Sequence, residues 1–231
     1  MKQTPILFRP EMIRALLGGR KTQTRRIMKP QPQEEWAPFN YTEIHKMKDG
    51  DFPLRNGAPI VIGWGVCNED GDEGYVCKYG QPGDLLWVRE TMRVIDKQDY
   101  GTRCAAIKIR YEADKTESNW IAYPERLDGT PIVGKCLAYG GYREASRLTL
   151  KITDIRVERV QEISEKDARA EGIDTSRHGD GSIAASCLYE DLWNSISGPE
   201  SWNQNPYVWV ITFEVIKQNI DEYLRGKNDH C

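Results

Sequence analysis

The sequence contains no long apolar run, and this absence removes two classes of protein. No segment approaches the roughly 20 apolar residues that a membrane-spanning helix needs, so we expect no membrane partner. The opening residues, "MKQTPILFRPEM", also lack the apolar stretch of about 7–15 residues that marks a secretory signal. We therefore expect a cytoplasmic protein.

Closely paired cysteines are also missing. The six cysteines are spread along the chain without a C-x-x-C pair, as expected for reduced thiols in the cytoplasm. Four of them supply enough thiolates for structural zinc in principle, but their spacings match no familiar zinc-binding motif. These four are Cys67, Cys77, Cys104 and Cys136. We expect no disulfide, no metal and no cofactor.

The chain has no large excess of charge, since its net charge is -3. The charges are nevertheless segregated: residues 12–29 hold six basic and no acidic residues, whereas 68–73 read "NEDGDE". A local basic patch suits an anionic ligand held at one cleft better than tracking along a nucleic acid. The alternative is a solvated basic face. The six basic residues are Arg14, Arg20, Lys21, Arg25, Arg26 and Lys29.

The first elements explain part of this basic patch. An apolar strand is predicted at 4–8, then a helix that opens at Pro10 and ends at Gly18-Gly19. Cations are favoured at the negative end of a helix dipole, which accounts for Arg20 and Lys21. It does not account for Arg25 and Arg26, which lie further along the chain.

The remaining pattern predicts a small β-barrel of the α+β class, with short helices and long loop insertions. Strands are predicted at 58–66, 104–111, 146–160 and 205–216, and another follows a type II turn at Pro82-Gly83. In the 146–160 strand the apolar alternation changes phase at Thr153-Asp154, as a bulge would cause. Helices are predicted within 163–173 and 186–196, the latter with Leu188, Leu192, Trp193 and Ile196 covering one end of the barrel.

Trp87 and Arg89, on the strand that follows the Pro82-Gly83 turn, face the same side of that strand and form a candidate ligand surface. Trp87 and Arg89 alternate with apolar neighbours, so the indole and the guanidinium could stack on and bond to a planar ligand. Ordinary core packing of Trp87 is the alternative.

Several blocks of the sequence together resemble the ASCH family, a branch of the PUA-like barrels. "GGRKTQTRR" is similar to the family signature G-x-K-x-x-T-x-R at Gly19, Lys21, Thr24 and Arg26. "PGDLLWVRE", "LTLKITDIRVERV", "SEKDARAEGI" and "VWVITFEV" follow in the family's order, and the longer ASCH-type proteins of phages and prophages show similar blocks. The resemblance implies one PUA-like domain over 1–217 with insertions at about 30–78, 93–145 and 174–185, then a polar tail at 218–231.

The resemblance implies a protein that binds a nucleobase or RNA in a cleft beside the signature loop. RNA, a nucleoside or a nucleotide would be the partner, with Lys21 and Arg26 on phosphates and Trp87 stacked on the base. The expected ligand-binding residues are Gly19, Arg25, Arg26, Trp87 and Arg89.

Two alternatives remain open. Some small ASCH proteins are amidohydrolases that remove an acyl group from N4-acetylcytidine, and their catalytic residues would fall here on Lys21, Thr24 and Glu171. Thr24 would be the nucleophile, Lys21 its base and Glu171 a proton shuttle. The other alternative is a phage structural or protein-interaction module that uses its tryptophan-bearing loops. Those loops carry Trp36, Trp64, Trp120 and Trp202.

Overall fold

A computed structural model of the chain describes residues 1–32, 45–47, 63–67, 74–99, 105–123, 132–137, 141–178 and 183–228. These residues form an α+β structure. None of its described helices has the length and apolarity to cross a membrane. The acidic segment 68–73 and most of the predicted loop at 29–57 lie outside the described residues.

Twelve strands and four α-helices are present in the described part of the chain. The strands are β1 (Gln3–Leu7), β2 (Gln23–Ile27), β3 (His45–Met47), β4 (Gly63–Cys67), β5 (Gly74–Val76), β6 (Leu85–Arg89), β7 (Met92–Asp99), β8 (Ala105–Tyr111), β9 (Ile121–Ala122), β10 (Cys136–Leu137), β11 (Thr149–Arg159) and β12 (Tyr207–Ile216). The helices are α1 (Pro10–Leu17), α2 (Glu165–Ala170), α3 (Ala185–Ser197) and α4 (Ile220–Asn228).

The chain divides into two compact units. Unit 1 comprises residues 1–19, 85–151 and 215–231, and unit 2 comprises residues 20–84 and 152–214. The single domain over 1–217 that the sequence led us to expect stays a prediction. Two of the boundaries between the units fall inside strands β11 and β12. No linker separates the units at these points, so the sequence pattern shows no boundary there.

Unit 1 contains the N-terminal helix and two groups of strands. In the first group β1 pairs in parallel with β6, which pairs antiparallel with the start of β11. The second is a sheet of order β10-β7-β8-β9. Its apolar face packs around buried Met92, Val94, Ile107 and Ile109. Helix α1 ends as predicted, because Gly19 adopts a φ of +71° that favours glycine.

Unit 2 contains helices α2 and α3 together with β2 and most of β12. Strand β12 pairs antiparallel with β2, with Ile211 opposite Thr24. The predicted turn is confirmed, since Asp84 N–H donates to the Gln81 carbonyl at 2.9 Å and Gly83 has a φ of +94°. A short sheet of order β3-β4-β5 also belongs to this unit.

The phase change in β11 is confirmed by burial. Leu150 and Ile152 are buried, both Thr153 and Asp154 are exposed, and burial then resumes at the odd-numbered Ile155. The inward-facing positions therefore switch from even to odd numbers at the predicted point.

The expected α+β class is confirmed, whereas the expected PUA-like barrel is not. The described strands form three sheets, none closed into a barrel. The predicted insertion at 93–145 carries strands of the β10-β7-β8-β9 sheet, and the predicted tail at 218–231 contains helix α4. Helix α3 buries Ala185, Tyr189 and Trp193, whereas Ile196, expected to be covered, is exposed.

Candidate functional site

The segment before β2 is held against the end of α2. Thr22 N–H donates to the Ala170 carbonyl at 2.8 Å, and Lys21 forms an isolated antiparallel bridge with Glu171. Helix α2 starts at Ser164, whose hydroxyl accepts the Asp167 N–H, and stops at Gly172, which has a φ of +97°. Glu171 is therefore fixed at the helix end, with its backbone alongside Lys21.

The side chains of Lys21 and Glu171 form a buried ion pair. Lys21 Nζ donates to Glu171 Oε2 at 2.6 Å and to the Glu171 carbonyl at 2.9 Å. Their side chains are only 0% and 2% exposed, respectively. Burial lowers the pKa of Lys21; the Glu171 carboxylate opposes this shift, and the positive charges of Arg26 and Arg25 add to it.

Arg25 lies beside this pair with a fully buried side chain. Its Nη1 donates to Gln23 Oε1 at 2.7 Å, and its Nη2 donates to Glu158 Oε2 at 2.8 Å. The guanidinium is also 3.5 Å from Glu171 Oε1 and 3.5 Å from Asp167 Oδ2. Three carboxylates thus compensate the Arg25 charge inside unit 2.

Arg156 supports this arrangement from β11. It donates to Glu158 Oε1 and, through Nη2, to Asp167 Oδ2 at 2.9 Å. Gln23 Nε2 also donates to Asp167, at 3.3 Å. We call Lys21, Arg25, Glu158, Asp167 and Glu171 the buried ion cluster.

Aromatic side chains lie next to the buried ion cluster. The Arg25 Cζ is 5.9 Å from the centroid of the Tyr189 ring, and that centroid is 6.2 Å from those of Trp193 and Trp202. Burial raises the pKa of Tyr189 well above 10, and the negative charge of Glu171 raises it further. The Tyr189 phenol therefore stays protonated beside a carboxylate.

Some buried polar atoms of this region lack an ordinary hydrogen bond within the described ranges. They are Arg25 Nε, Glu171 Oε1 and Trp193 Nε1. A buried polar atom left without a partner costs about 1–3 kcal/mol, so native proteins rarely keep several together unless they serve a ligand, an ion or water. Two buried donors, Arg25 Nε and Trp193 Nε1, and one buried acceptor, Glu171 Oε1, are therefore under-used in the described part of unit 2.

The other predicted site residues are distributed as follows. Thr24 is buried on β2, and strand alternation puts its side chain on the face opposite Gln23 and Arg25. Arg26 is half-buried and close enough for its charge to act on Lys21. Gly19, Trp87 and Arg89 belong to unit 1, where Trp87 and Arg89 are half-buried. The buried ion cluster consists of unit 2 residues and includes none of these three.

Sequence reasoning missed Glu158, Asp167 and Tyr189. The partners Glu158 and Arg25 are 133 positions apart, which no local pattern reveals. Tyr189 had a detectable signal, because Ala185, Tyr189 and Trp193 recur at the spacing of one helix face.

No cluster of three or more metal-ligating side chains occurs among the described residues. Of the four cysteines considered for zinc, Cys77 is buried and Cys136 is exposed, while the side chains of Cys67 and Cys104 lie outside the described set. Comparison of the chain with protein-family models, with curated proteins and with solved structures finds no match.

Proposed function

We propose that this is an ASCH-type protein of PUA-like ancestry and that unit 2 binds a nucleobase at the Lys21–Glu171 pair. The observation that carries the proposal is the buried ion cluster, in which Arg25 Nε has no hydrogen bond among the described residues. Glu171 Oε1 there faces only the Arg25 guanidinium at 3.5 Å and the neighbouring Tyr189 phenol. The order of the ASCH-like blocks, which fall on β2, β6, β11, α2 and β12, supports the family assignment.

A base edge fits this cluster better than a phosphate does. Lys21 and Arg25 are buried and already compensated by carboxylates, so a phosphodiester would meet Glu158, Asp167 and Glu171 rather than uncompensated cations. A cytosine-type edge has the complementary groups: its exocyclic amine donates to Glu171 Oε1, and its ring carbonyl accepts from Arg25 Nε. The ligand is thus a nucleoside or one unpaired base of an RNA.

Calorimetric titration tests the proposal. Cytidine, N4-acetylcytidine and a short single-stranded RNA containing cytidine are titrated into the wild-type protein and the double variant Lys21→Met/Glu171→Leu. Lys166→Met is the matched control, because Lys166 is exposed on α2 and lies outside the buried ion cluster.

The proposal predicts binding to the wild-type protein and to Lys166→Met, with at least about ten-fold weaker binding to the double variant, a loss of about 1.4 kcal/mol or more. Cytidine affinity should change little with salt, whereas contact with several phosphates gives a steep salt dependence. The proposal is contradicted if the double variant binds every ligand as tightly as the wild-type protein does, or if the wild-type protein binds none of them.

Hydrolysis of an N4-acylated cytidine is a second candidate, favoured by the lowered pKa of Lys21. A general base must be neutral to accept a proton, and burial moves Lys21 towards that form. In the reaction that the family resemblance implies, Lys21 takes the Thr24 hydroxyl proton as the oxygen attacks the acyl carbon. This step requires Thr24, which strand alternation places on the face opposite Arg25, to come within hydrogen-bond distance of Lys21 Nζ. Glu171 relays a proton to the departing amine of cytidine, and water then hydrolyses the acyl-threonine to a carboxylic acid.

A pair of threonine variants separates the two candidates. Thr24→Val removes the nucleophile and should abolish release of cytidine from N4-acetylcytidine, measured by chromatography, while binding persists. Thr22→Val is the matched control, since Thr22 is exposed two positions earlier. Turnover that survives in Thr24→Val rejects the threonine mechanism, and absence of turnover in the wild-type protein rejects hydrolysis of N4-acetylcytidine.

A further inference from the structure

Unit 1 contains a cavity of about 600 Å³ that the proposed function does not use. It is formed by the segment after β8, by the residues that precede β11 and by the start of α4. Pockets that hold small ligands occupy about 300–1,000 Å³, so this cavity has a suitable size.

Internal hydrogen bonds fix the cavity walls. Asn219 Nδ2 donates to the carbonyls of Arg143 and Ser146 at 2.9 and 2.8 Å, and Asn219 Oδ1 accepts the Asp221 N–H. Arg147 forms two hydrogen bonds with Glu90, and its Cζ lies 3.9 Å from the centre of the Tyr111 ring. The cavity is therefore formed before any ligand binds, which lowers the entropic cost of binding.

The charge of the lining argues against an ionic ligand. Four lining carboxylates face three lining cations, which leaves a formal charge of -1. The carboxylates are Glu117, Glu144, Asp221 and Glu222, and the cations are Arg147, Lys217 and Arg225, so neither a phosphate nor an ammonium ion meets a lining of uniformly opposite charge. A neutral ligand with many polar groups matches this mixture.

The uncharged part of the lining matches a sugar ring. Trp120 is 41% exposed and offers an indole on which the C–H face of a ring can pack. Asn119 and Gln218 provide amides, which both donate and accept hydrogen bonds, and the carboxylates accept strongly from hydroxyl groups. We propose that the unit 1 cavity binds a neutral saccharide against Trp120.

Nuclear magnetic resonance of the ¹⁵N-labelled full chain tests this site. The indole N–H signal of Trp120 is assigned by its loss in Trp120→Phe, and maltose, N-acetylglucosamine, cytidine and inorganic phosphate are titrated separately at millimolar concentrations. We expect a saturable shift of the Trp120 signal with at least one of the two saccharides and none with cytidine or phosphate.

Two variants make the result specific to the cavity. Trp120→Ala should weaken saccharide binding by about ten-fold or more, because the apolar platform is lost. Tyr223→Ala is the matched control, since Tyr223 lies on α4 outside the cavity lining. The proposal is overturned if neither saccharide shifts the signal, if cytidine or phosphate shifts it instead, or if both variants weaken binding equally.

Discussion

Removal of Lys21 should destabilise the protein far more than removal of an exposed lysine. Lys21→Met leaves the 2%-exposed Glu171 carboxylate without the ammonium that lies 2.6 Å from Oε2. Breaking a buried ion pair from one side costs about 3–5 kcal/mol. We expect the lower end, about 3 kcal/mol, because Arg25 Nη1 remains 3.5 Å from Glu171 Oε1 and partly compensates the charge.

The double variant distinguishes an unpaired charge from lost packing. Lys21→Met/Glu171→Leu removes both charges and replaces them by apolar side chains, an exchange that is often neutral or stabilising. Arg25 then retains Glu158 and Asp167. We therefore expect the double variant to regain most of the stability that the single variant loses.

Urea denaturation followed by tryptophan fluorescence measures these differences, since Trp193 and Trp202 lie in unit 2. Lys166→Met is the control, and as an exposed substitution it should change the free energy of unfolding by no more than about 0.5 kcal/mol. The reasoning is refuted if Lys21→Met costs as little as Lys166→Met, or if the double variant is as unstable as Lys21→Met.

Two further predictions concern individual residues. Burial raises the pKa of Tyr189 well above 10 in the folded chain, whereas the unfolded chain loses the phenol proton near pH 10. The free energy of unfolding should therefore fall as pH rises above 10, and Tyr189→Phe should reduce that fall in denaturation curves. Gly19 has a φ of +71°, so Gly19→Ala should destabilise by about 1 kcal/mol, whereas Gly226→Ala within α4 should stabilise by about 0.5–1 kcal/mol. Equal thermal shifts for the two alanine variants would contradict this difference.

Local features of the fold could be predicted from the sequence because neighbouring residues determine them. The helix stop at Gly19, the turn at Gly83 and the phase change at Thr153-Asp154 each depend on a few adjacent positions. The two units could not be predicted, since contacts far apart in the chain define them. Helix α4 was missed because its sequence is largely polar, so it resembles a solvated tail.

In the candidate site, too, local features could be predicted from the sequence and long-range contacts could not. Lys21 and Glu171 are 150 positions apart, and only the family resemblance suggested that they belong together. The spacing of the basic residues indicated that Arg25 needed an explanation beyond the helix dipole, but its partners are on β11 and α2. Tyr189 replaced the expected Leu188 on the buried face of α3, where its phenol lies beside the charged cluster.

A crystal structure of the full chain soaked with cytidine tests the central claim most directly. The account predicts the base beside the Lys21–Glu171 pair, with its exocyclic amine within hydrogen-bond distance of Glu171 Oε1. Cytidine bound elsewhere on the protein, with the Lys21–Glu171 pair unchanged and not in contact with the base, would contradict it.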